Sequence, residues 1–203
     1  ISVSISQMFA SKFNDDKKAL AFSDNVQDAA HRAGFFNSRT WRFGLRSSIQ
    51  RYVQNGGDGQ TFDEFTHGFM RYWRDALSTE AYVSRFIAPN MTWMKAYEDM
   101  TSSGHFGSGK LESKLLSDID KRLGYELMLE YGVAGRIGRT LEKSGCSTLY
   151  FDTDDIAEIA SAVKERAVNE LSALSGTSTL AFERMVLGFL NLMRMNGAFC
   201  DLA

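Results

Sequence analysis

The sequence predicts a mainly α-helical protein, a bundle of several helices with one short strand near its start. Its 203 residues contain a single proline, Pro89, so the residue that most often interrupts helices is almost absent. Apolar residues recur at three- and four-residue steps over most of the chain, as on the buried face of a helix. Runs with the pattern of a strand are few.

The strand is predicted in "KKALAFSD", residues 17–24, which is a short apolar run with polar ends. Asp24 is a suitable N-cap for the helix-forming segment that follows, and we expect this helix to reach about Val53. The glycines of "QNGGDGQ", residues 54–60, then end it. This part of the chain is therefore predicted to be a short strand–helix element over about residues 17–53.

Six further helices are predicted after residue 60. Thr61 and Glu64 fit a capping box, in which each side chain satisfies a backbone amide of the first turn. A second strand is predicted in "STLYFD", residues 147–152. The last helix carries "MVLGFLNLM" and is apolar on nearly every side, so we expect it in the middle of the bundle. The predicted helices cover about residues 61–76, 79–87, 90–101, 111–131, 153–174 and 178–196.

Composition narrows the class of protein. The formal net charge is −2, so a surface for nucleic acid or membrane has to be a local feature. Cys146 and Cys200 form no C-x-x-C pair, which argues against a zinc site and favours a reducing, cytoplasmic setting. No stretch approaches the roughly 20 apolar residues of a membrane helix. The chain begins without Met and ends on an apolar run, so we expect a fragment of a longer protein.

The segment "SSGHFGSGKLES", residues 102–113, comes close to the phosphate-binding loop G-x-x-x-x-G-K-S/T. A loop of that kind follows a buried strand and places a hydroxyl group after its lysine, where it binds magnesium. Here helix-forming residues come first, and Leu111 follows Lys110. We therefore interpret the segment as a loop between two helices.

No catalytic or metal-binding set is predicted. The acidic cluster lacks the spacing and the central glycine of a calcium loop, and acidic residues are favoured in the first turn of a helix, so we interpret it as a cap. The histidines are far apart in sequence, and no Ser-His-Asp or Cys-His set can be assembled. We predict no catalytic residue, metal or cofactor within this chain. The acidic residues are Asp152, Asp154, Asp155 and Glu158, and the histidines are His31, His67 and His105.

Basic residues of the first long helix are the strongest binding candidates. At about 100° per residue, four of its arginines fall within roughly a quarter of the helix circumference. Arginines in such a row can hold successive phosphates of a nucleic acid. The alternative is that they face solvent or pair with carboxylates of the following helices. The four residues are Arg32, Arg39, Arg42 and Arg46.

Residues 14–53, "NDDKKALAFSDNVQDAAHRAGFFNSRTWRFGLRSSIQRYV", resemble the start of the second RecA-like domain of large bacterial superfamily 2 helicases of the DEAD/DEAH-box type. These helicases carry a strand-plus-helix signature of the form "LAFSDNRQDAA…AGFF", and residues 20–30 here read "LAFSDNVQDAA". The segment "AGRIGRTLEKSGCSTL", residues 134–149, is similar to the helical region that follows in these proteins.

The resemblance implies a fragment of an ATP-dependent helicase or translocase that acts on DNA or RNA. Residues 1–60 would be the edge of the second RecA-like domain, and residues 61–203 a helical insertion. Motif IV of these helicases lies beside the path of the nucleic acid, and the matching residues would contact it together with the four arginines. These matching residues are Ser23, Asp24, Asn25 and Gln27.

The chain also departs from the helicase pattern. It has no Walker A motif, no D-E-x-D/H box and no Q-x-x-G-R-x-x-R motif. ATP and Mg²⁺ would therefore bind other parts of the parent protein, and we expect this fragment alone not to hydrolyse ATP. The alternative from a different class is a helical protein–protein interaction module whose aromatic faces dock a partner subunit.

Overall fold

The computed structural model describes residues 26–132 and 140–196, with side chains from residue 33 onward. Within these ranges the chain forms seven α-helices and no strand, which confirms a mainly α-helical fold. The predicted strand of residues 17–24 lies outside the described residues. The helices are α1 (Val26–Tyr52), α2 (Phe62–Ala76), α3 (Thr79–Phe86), α4 (Lys95–Ser103), α5 (Lys110–Tyr131), α6 (Thr153–Glu170) and α7 (Thr179–Met195).

The chain divides into two compact units, and the division falls within α5. The first unit ends at Gly124, and the second begins at Tyr125. The helicase resemblance implies a different boundary, near residue 60, between the edge of a RecA-like domain and a helical insertion. That boundary stays a prediction.

The core of the first unit is a cluster of aromatic rings from three helices. Tyr52 of α1 lies 5.9 Å from Phe69 of α2 between ring centroids, and Phe69 lies 5.7 Å from Phe86 of α3. Both pairs are edge-to-face, an arrangement that adds about 0.5–1.5 kcal/mol to the burial of the rings. Phe69 is fully buried and so links α1 to α3. The other members of the cluster are Phe65, Tyr72, Trp73 and Tyr82.

One carboxylate ties α5 to this core. The Tyr82 hydroxyl donates to Asp120 Oδ1 at 2.8 Å, and the Arg74 guanidinium donates to the other oxygen of the same carboxylate. Burial, followed by the negative charge of Asp120, raises the pKa of Tyr82 well above its ordinary value, so the hydroxyl remains a donor. Leu115, Ile119 and Leu123 recur at four-residue steps along α5, as on the core face of a helix, and all three are fully buried.

The ends of the helices follow local chemistry. The capping box at the start of α2 is confirmed, because Glu64 N donates to Thr61 Oγ1 and Thr61 N donates to the Glu64 carboxylate. After α1 the glycine-rich segment turns the chain, and Gly56 has a φ of 117°, which favours glycine. The helix predicted from residue 90 begins only at Lys95. The Trp93 indole donates to Asn90 O, a carbonyl that a continuous helix would use.

The core of the second unit is formed between α6 and α7. The buried residues Ile156 and Ala160 of α6 pack with Phe182 and Val186 of α7. A buried arginine, Arg194, completes the unit. Its guanidinium makes two bonds with the Glu142 carboxylate, at 2.9 and 3.0 Å, and a further bond to Tyr131 O. Pairing compensates the cost of burying this charge.

The strand predicted at residues 147–152 is wrong. These residues form neither a helix nor part of a sheet among the described residues. Thr148 Oγ1 instead donates to Glu142 at 3.0 Å, Ser147 Oγ bonds to the Tyr131 hydroxyl at 2.8 Å, and Phe151 packs against the core of α6 and α7. Tyr150 is exposed, so the apolar residues of the segment do not form one buried face.

The central position predicted for the last helix in the whole bundle stays a prediction, and within its own unit α7 buries few side chains. α7 buries one face against α6, and its only buried residues are Phe182, Val186 and Arg194. Seven large apolar side chains of α7 are exposed, and they are spread around the helix: Leu180, Met185, Leu187, Phe189, Leu192, Met193 and Met195.

Replacing Phe69 by alanine should lower the free energy of unfolding of the first unit by about 3–5 kcal/mol, because it removes the ring between α1 and α3. Urea unfolding followed by tryptophan fluorescence measures this unit alone, since Trp41, Trp73 and Trp93 all lie within it. Phe43→Ala is the matched control. Phe43 is 52% exposed, so its loss should change the free energy by no more than about 0.5 kcal/mol. Equal effects of the two changes would contradict the described core.

A candidate nucleic-acid interface on the first helix

Most of α1 belongs to a stretch of sequence that contains arginine but no acidic residue. Residues 29–57 contain five arginines and no aspartate or glutamate. The acidic residues nearest to this stretch are Asp28, just before it, and Asp58, just after it. The overall charge of −2 therefore hides a local field of the opposite sign, which is the electrostatic feature expected of a surface that binds phosphates.

Three of these arginines lie along one side of α1. Leu45, Ile49 and Tyr52 of the same helix are buried and mark its packed face. At about 100° per residue, positions 39, 42 and 46 lie within about 60° of one another; Arg39 is about 80° from Ile49 around the helix, whereas Arg42 is about 20° from it, at the border of the packed face. Arg39 is exposed, and Arg42 and Arg46 are half-buried. The structure thus brings these three arginines together on one face.

Arg39 and Arg42 have no acidic partner among the residues whose side chains the structure describes. The Arg39 guanidinium carbon lies 4.5 Å from the centroid of the exposed Phe35 ring, a cation–π contact that leaves its N–H groups available. In the part of the chain that the structure describes, no carboxylate lies within 4.0 Å of either guanidinium. The alternative in which the arginines pair with carboxylates of the following helices therefore fails for these two.

The position of this face is fixed by Trp41. Its indole N–H donates to Phe86 O at 3.3 Å, which joins the middle of α1 to the end of α3. The Arg122 guanidinium carbon of α5 lies 6.0 Å from the centroid of the same indole. Arg39 and Arg42 thus stand on a helix that is held from behind by two others, so binding a ligand would not have to order the backbone.

The remaining predicted residues lie outside the described part of the molecule. Ser23, Asp24 and Asn25 precede the first described residue. Gln27 and Arg32 belong to α1, but their side chains are not described. Their roles as nucleic-acid contacts stay predictions.

Two further arginines escaped the sequence prediction. Arg51 lies about 140° around α1 from Arg46, so it falls outside the predicted stripe. Arg85 belongs to α3, and the sequence around it shows no pattern that indicates a binding site. The absence of acidic residues across residues 29–57 is the signal that could have drawn attention to Arg51. Only the packing of α1 against α2 and α3 brings Arg85 beside it.

The segment that approaches a phosphate-binding loop is a loop between α4 and α5, as predicted. Gly104 ends α4 in the left-handed conformation, with a φ of 74°, and Lys110 begins α5. The carboxylate of Glu112 lies against the glycines, so that a Cβ at Gly109 would be 2.6 Å from Glu112 Oε2. A carboxylate of the chain itself therefore lies against the glycines that would have to approach a phosphate.

The acidic cluster before α6 is a helix cap, as predicted. Asp152 Oδ1 accepts hydrogen bonds from Asp154 N at 2.8 Å and Asp155 N at 3.4 Å. Among the described residues, no group of three or more His, Cys, Asp or Glu side chains could hold a metal ion. His67 and His105 pair instead with single carboxylates, Asp63 and Glu80.

Comparison with protein families, with characterised proteins and with solved structures finds no match for this chain. None of the helices described here is both long enough and apolar enough to cross a membrane. The arginines of α1 and the residues that resemble the helicases are therefore the features that bear on function.

Replacing Asp152 by alanine should speed amide hydrogen exchange in the first turn of α6 about fivefold, because a lost N-cap costs about 1 kcal/mol. Asp152→Asn keeps the acceptor oxygen and should retain most of the protection. NMR exchange rates at Asp154 and Asp155 provide the measurement. A gain in protection on adding Ca²⁺ to the wild-type protein would show a cation site and contradict the cap.

Proposed function

We propose that this chain binds nucleic acid through the face of α1 that carries Arg39, Arg42 and Arg46, as a non-catalytic part of an ATP-dependent helicase or translocase. The observation that carries the proposal is the absence of acidic partners at Arg39 and Arg42 on a helix whose flanking sequence also lacks acidic residues. The alternative from the sequence is an arginine face that is solvated or internally paired. It does not explain why residues 29–57 contain five arginines and no acidic residue.

The energetics favour a phosphate ligand. An arginine that already holds a carboxylate must break that pair before it binds a phosphate, whereas Arg39 and Arg42 have no such pair among the described residues. Each phosphate that they neutralise releases condensed counterions, which is the main driving force for binding to a nucleic-acid backbone. Arginine also forms two parallel hydrogen bonds to a phosphate, which a lysine cannot do.

The place in a motor protein is supported by the resemblance of residues 14–53 to the region around motif IV. In that arrangement α1 would follow the motif IV strand and lie beside the nucleic-acid path. The attachment of α1 to α3 through Trp41 would then pass a movement of the RecA-like domain to the helical part. ATP and Mg²⁺ would bind elsewhere in the parent protein. The resemblance leaves DNA and RNA equally open as ligands.

A second candidate function is supported by a different observation. α7 exposes seven large apolar side chains, far more than isolated surface residues would explain. Such a surface is typical of a protein–protein contact. If the chain is a helical interaction module, α7 is its docking surface and the arginines of α1 contribute only solubility.

The double variant Arg39→Ala/Arg42→Ala should bind a fluorescent single-stranded oligonucleotide at least about tenfold more weakly than the wild type at low ionic strength, because it removes two phosphate contacts. Fluorescence anisotropy measures the affinity. Neither side chain has a described ion pair, so folding should be unaffected.

Lys114→Ala/Lys121→Ala is the matched control for that experiment. Both lysines are exposed on α5 in the same unit, so the variant removes the same charge. It should keep most of the affinity. Equal losses in the two double variants would show diffuse attraction and no defined face. A wild-type protein that does not bind the oligonucleotide would favour the interaction module.

A further inference from the structure

Two guanidinium groups from different helices lie against one buried indole. The Arg85 guanidinium carbon of α3 is 4.6 Å from the ring centroid of Trp73 in α2, and that of Arg51 in α1 is 5.7 Å away. Trp73 is only 3% exposed, whereas both arginines are exposed. Its indole N–H is buried without a hydrogen-bond acceptor in the described part of the chain, which leaves a further positive dipole at this place.

Arg85 is held in a fixed orientation. Its Nε donates to Ser48 Oγ at 3.0 Å, and the fully buried Ser48 in turn donates to Gly44 O at 2.8 Å. Stacking on the indole and the bond to α1 therefore fix the plane of the guanidinium. Its two terminal nitrogens make no hydrogen bond to any residue that the structure describes. The edge that arginine uses to bind a phosphate is thus exposed and oriented.

The positive charges of Arg51 and Arg85 are not balanced by a carboxylate among the described residues. Neither Arg51 nor Arg85 has a carboxylate within 4.0 Å across the described residues. Burial, followed by the positive charge of Arg51, lowers the pKa of Arg85, so the two cations repel each other. Both residues lie in the last turn of a helix, where the helix dipole favours a cation. The dipole accounts for each arginine singly, but it does not remove the repulsion between them.

We propose that Arg51 and Arg85 form a phosphate-binding site that holds a backbone phosphodiester of the same nucleic acid as the arginine face of α1. The site therefore rests on the proposed function. A phosphate bound to both arginines neutralises their repulsion and accepts paired hydrogen bonds from guanidinium edges that the indole has already oriented.

The surface of α1 between the arginine face and Arg51 suits a single strand of nucleic acid. Phe43 and Ser47 lie between the arginine face and Arg51 around the helix, and both are exposed. An exposed aromatic ring between two phosphate contacts is a platform on which a base can stack. With a rise of about 1.5 Å per residue, Arg42 and Arg51 are about 14 Å apart along the axis, which a strand can span and a free phosphate cannot.

The test uses Arg51→Gln, since Arg51 has no side-chain hydrogen bond whose loss would disturb folding. We expect it to weaken binding of a labelled single-stranded oligonucleotide about fivefold to tenfold at low ionic strength. Arg85→Lys keeps the charge but loses the planar fork, and it should weaken binding to a similar extent. The control is Arg71→Gln, an exposed arginine of α2, which should bind like the wild type. Unchanged urea midpoints, read by tryptophan fluorescence, establish that each variant is folded.

The outcomes separate this site from the proposed function. If Arg51→Gln and Arg85→Lys bind normally while Arg39→Ala/Arg42→Ala binds weakly, the site is wrong and the proposed function stands. If all three bind like the wild type, both fail. A third arm uses inorganic pyrophosphate. If Arg51→Gln loses pyrophosphate binding but keeps the oligonucleotide affinity, the site takes a free phosphate and the proposal is overturned.

Discussion

Packing of the Phe69 ring between Tyr52 and Phe86 is the contact on which the first unit depends. It joins α1 to α2 and α3 through two edge-to-face pairs in a fully buried setting. Everything that we infer about binding follows from this attachment. It decides which side of α1 is buried and therefore which arginines remain outside. It also places the end of α1 beside α3, which brings Arg51 and Arg85 to the same indole.

The carboxylates and the arginines of the chain are used in two different ways. Asp120 accepts bonds from Arg74 and Tyr82, and Glu142 holds the buried Arg194. These carboxylates serve the packing of the helices, and each has a cation close to it. The stretch around α1 has no such carboxylate in its sequence. The proposed external anion depends on this local excess of arginine in residues 29–57.

Much of the fold could be predicted from the sequence because local signals decide it. The capping box of Thr61 and Glu64 and the acidic cap before α6 are effects of a single helix, and the structure has them where the sequence placed them. The errors concern the environment of an element. Residues 147–152 have the composition of a strand, yet they lie in no sheet among the described residues, and Phe151 packs against α6 and α7. Composition reports that a segment is apolar, whereas tertiary packing decides what covers it.

In the candidate site, too, effects of a single helix could be predicted and effects of tertiary packing could not. The arginine stripe follows from the periodicity of one helix and could be predicted. The place where Arg51 and Arg85 meet could not, because it requires three helices to converge on Trp73 and gives no pattern within any one of them. The role of Ser48 in orienting Arg85 was equally hidden, since a serine within a helix carries no signal of its own.

The central claim is that unpaired arginines on and beside α1 bind the phosphates of a nucleic acid. The dependence of wild-type affinity on salt concentration tests it most directly. Contacts from Arg39, Arg42, Arg51 and Arg85 predict that log K for association with a single strand falls with log salt at a slope of roughly −2 to −3, or about −0.7 per phosphate. A slope near zero, or no measurable association at low salt, would contradict the account.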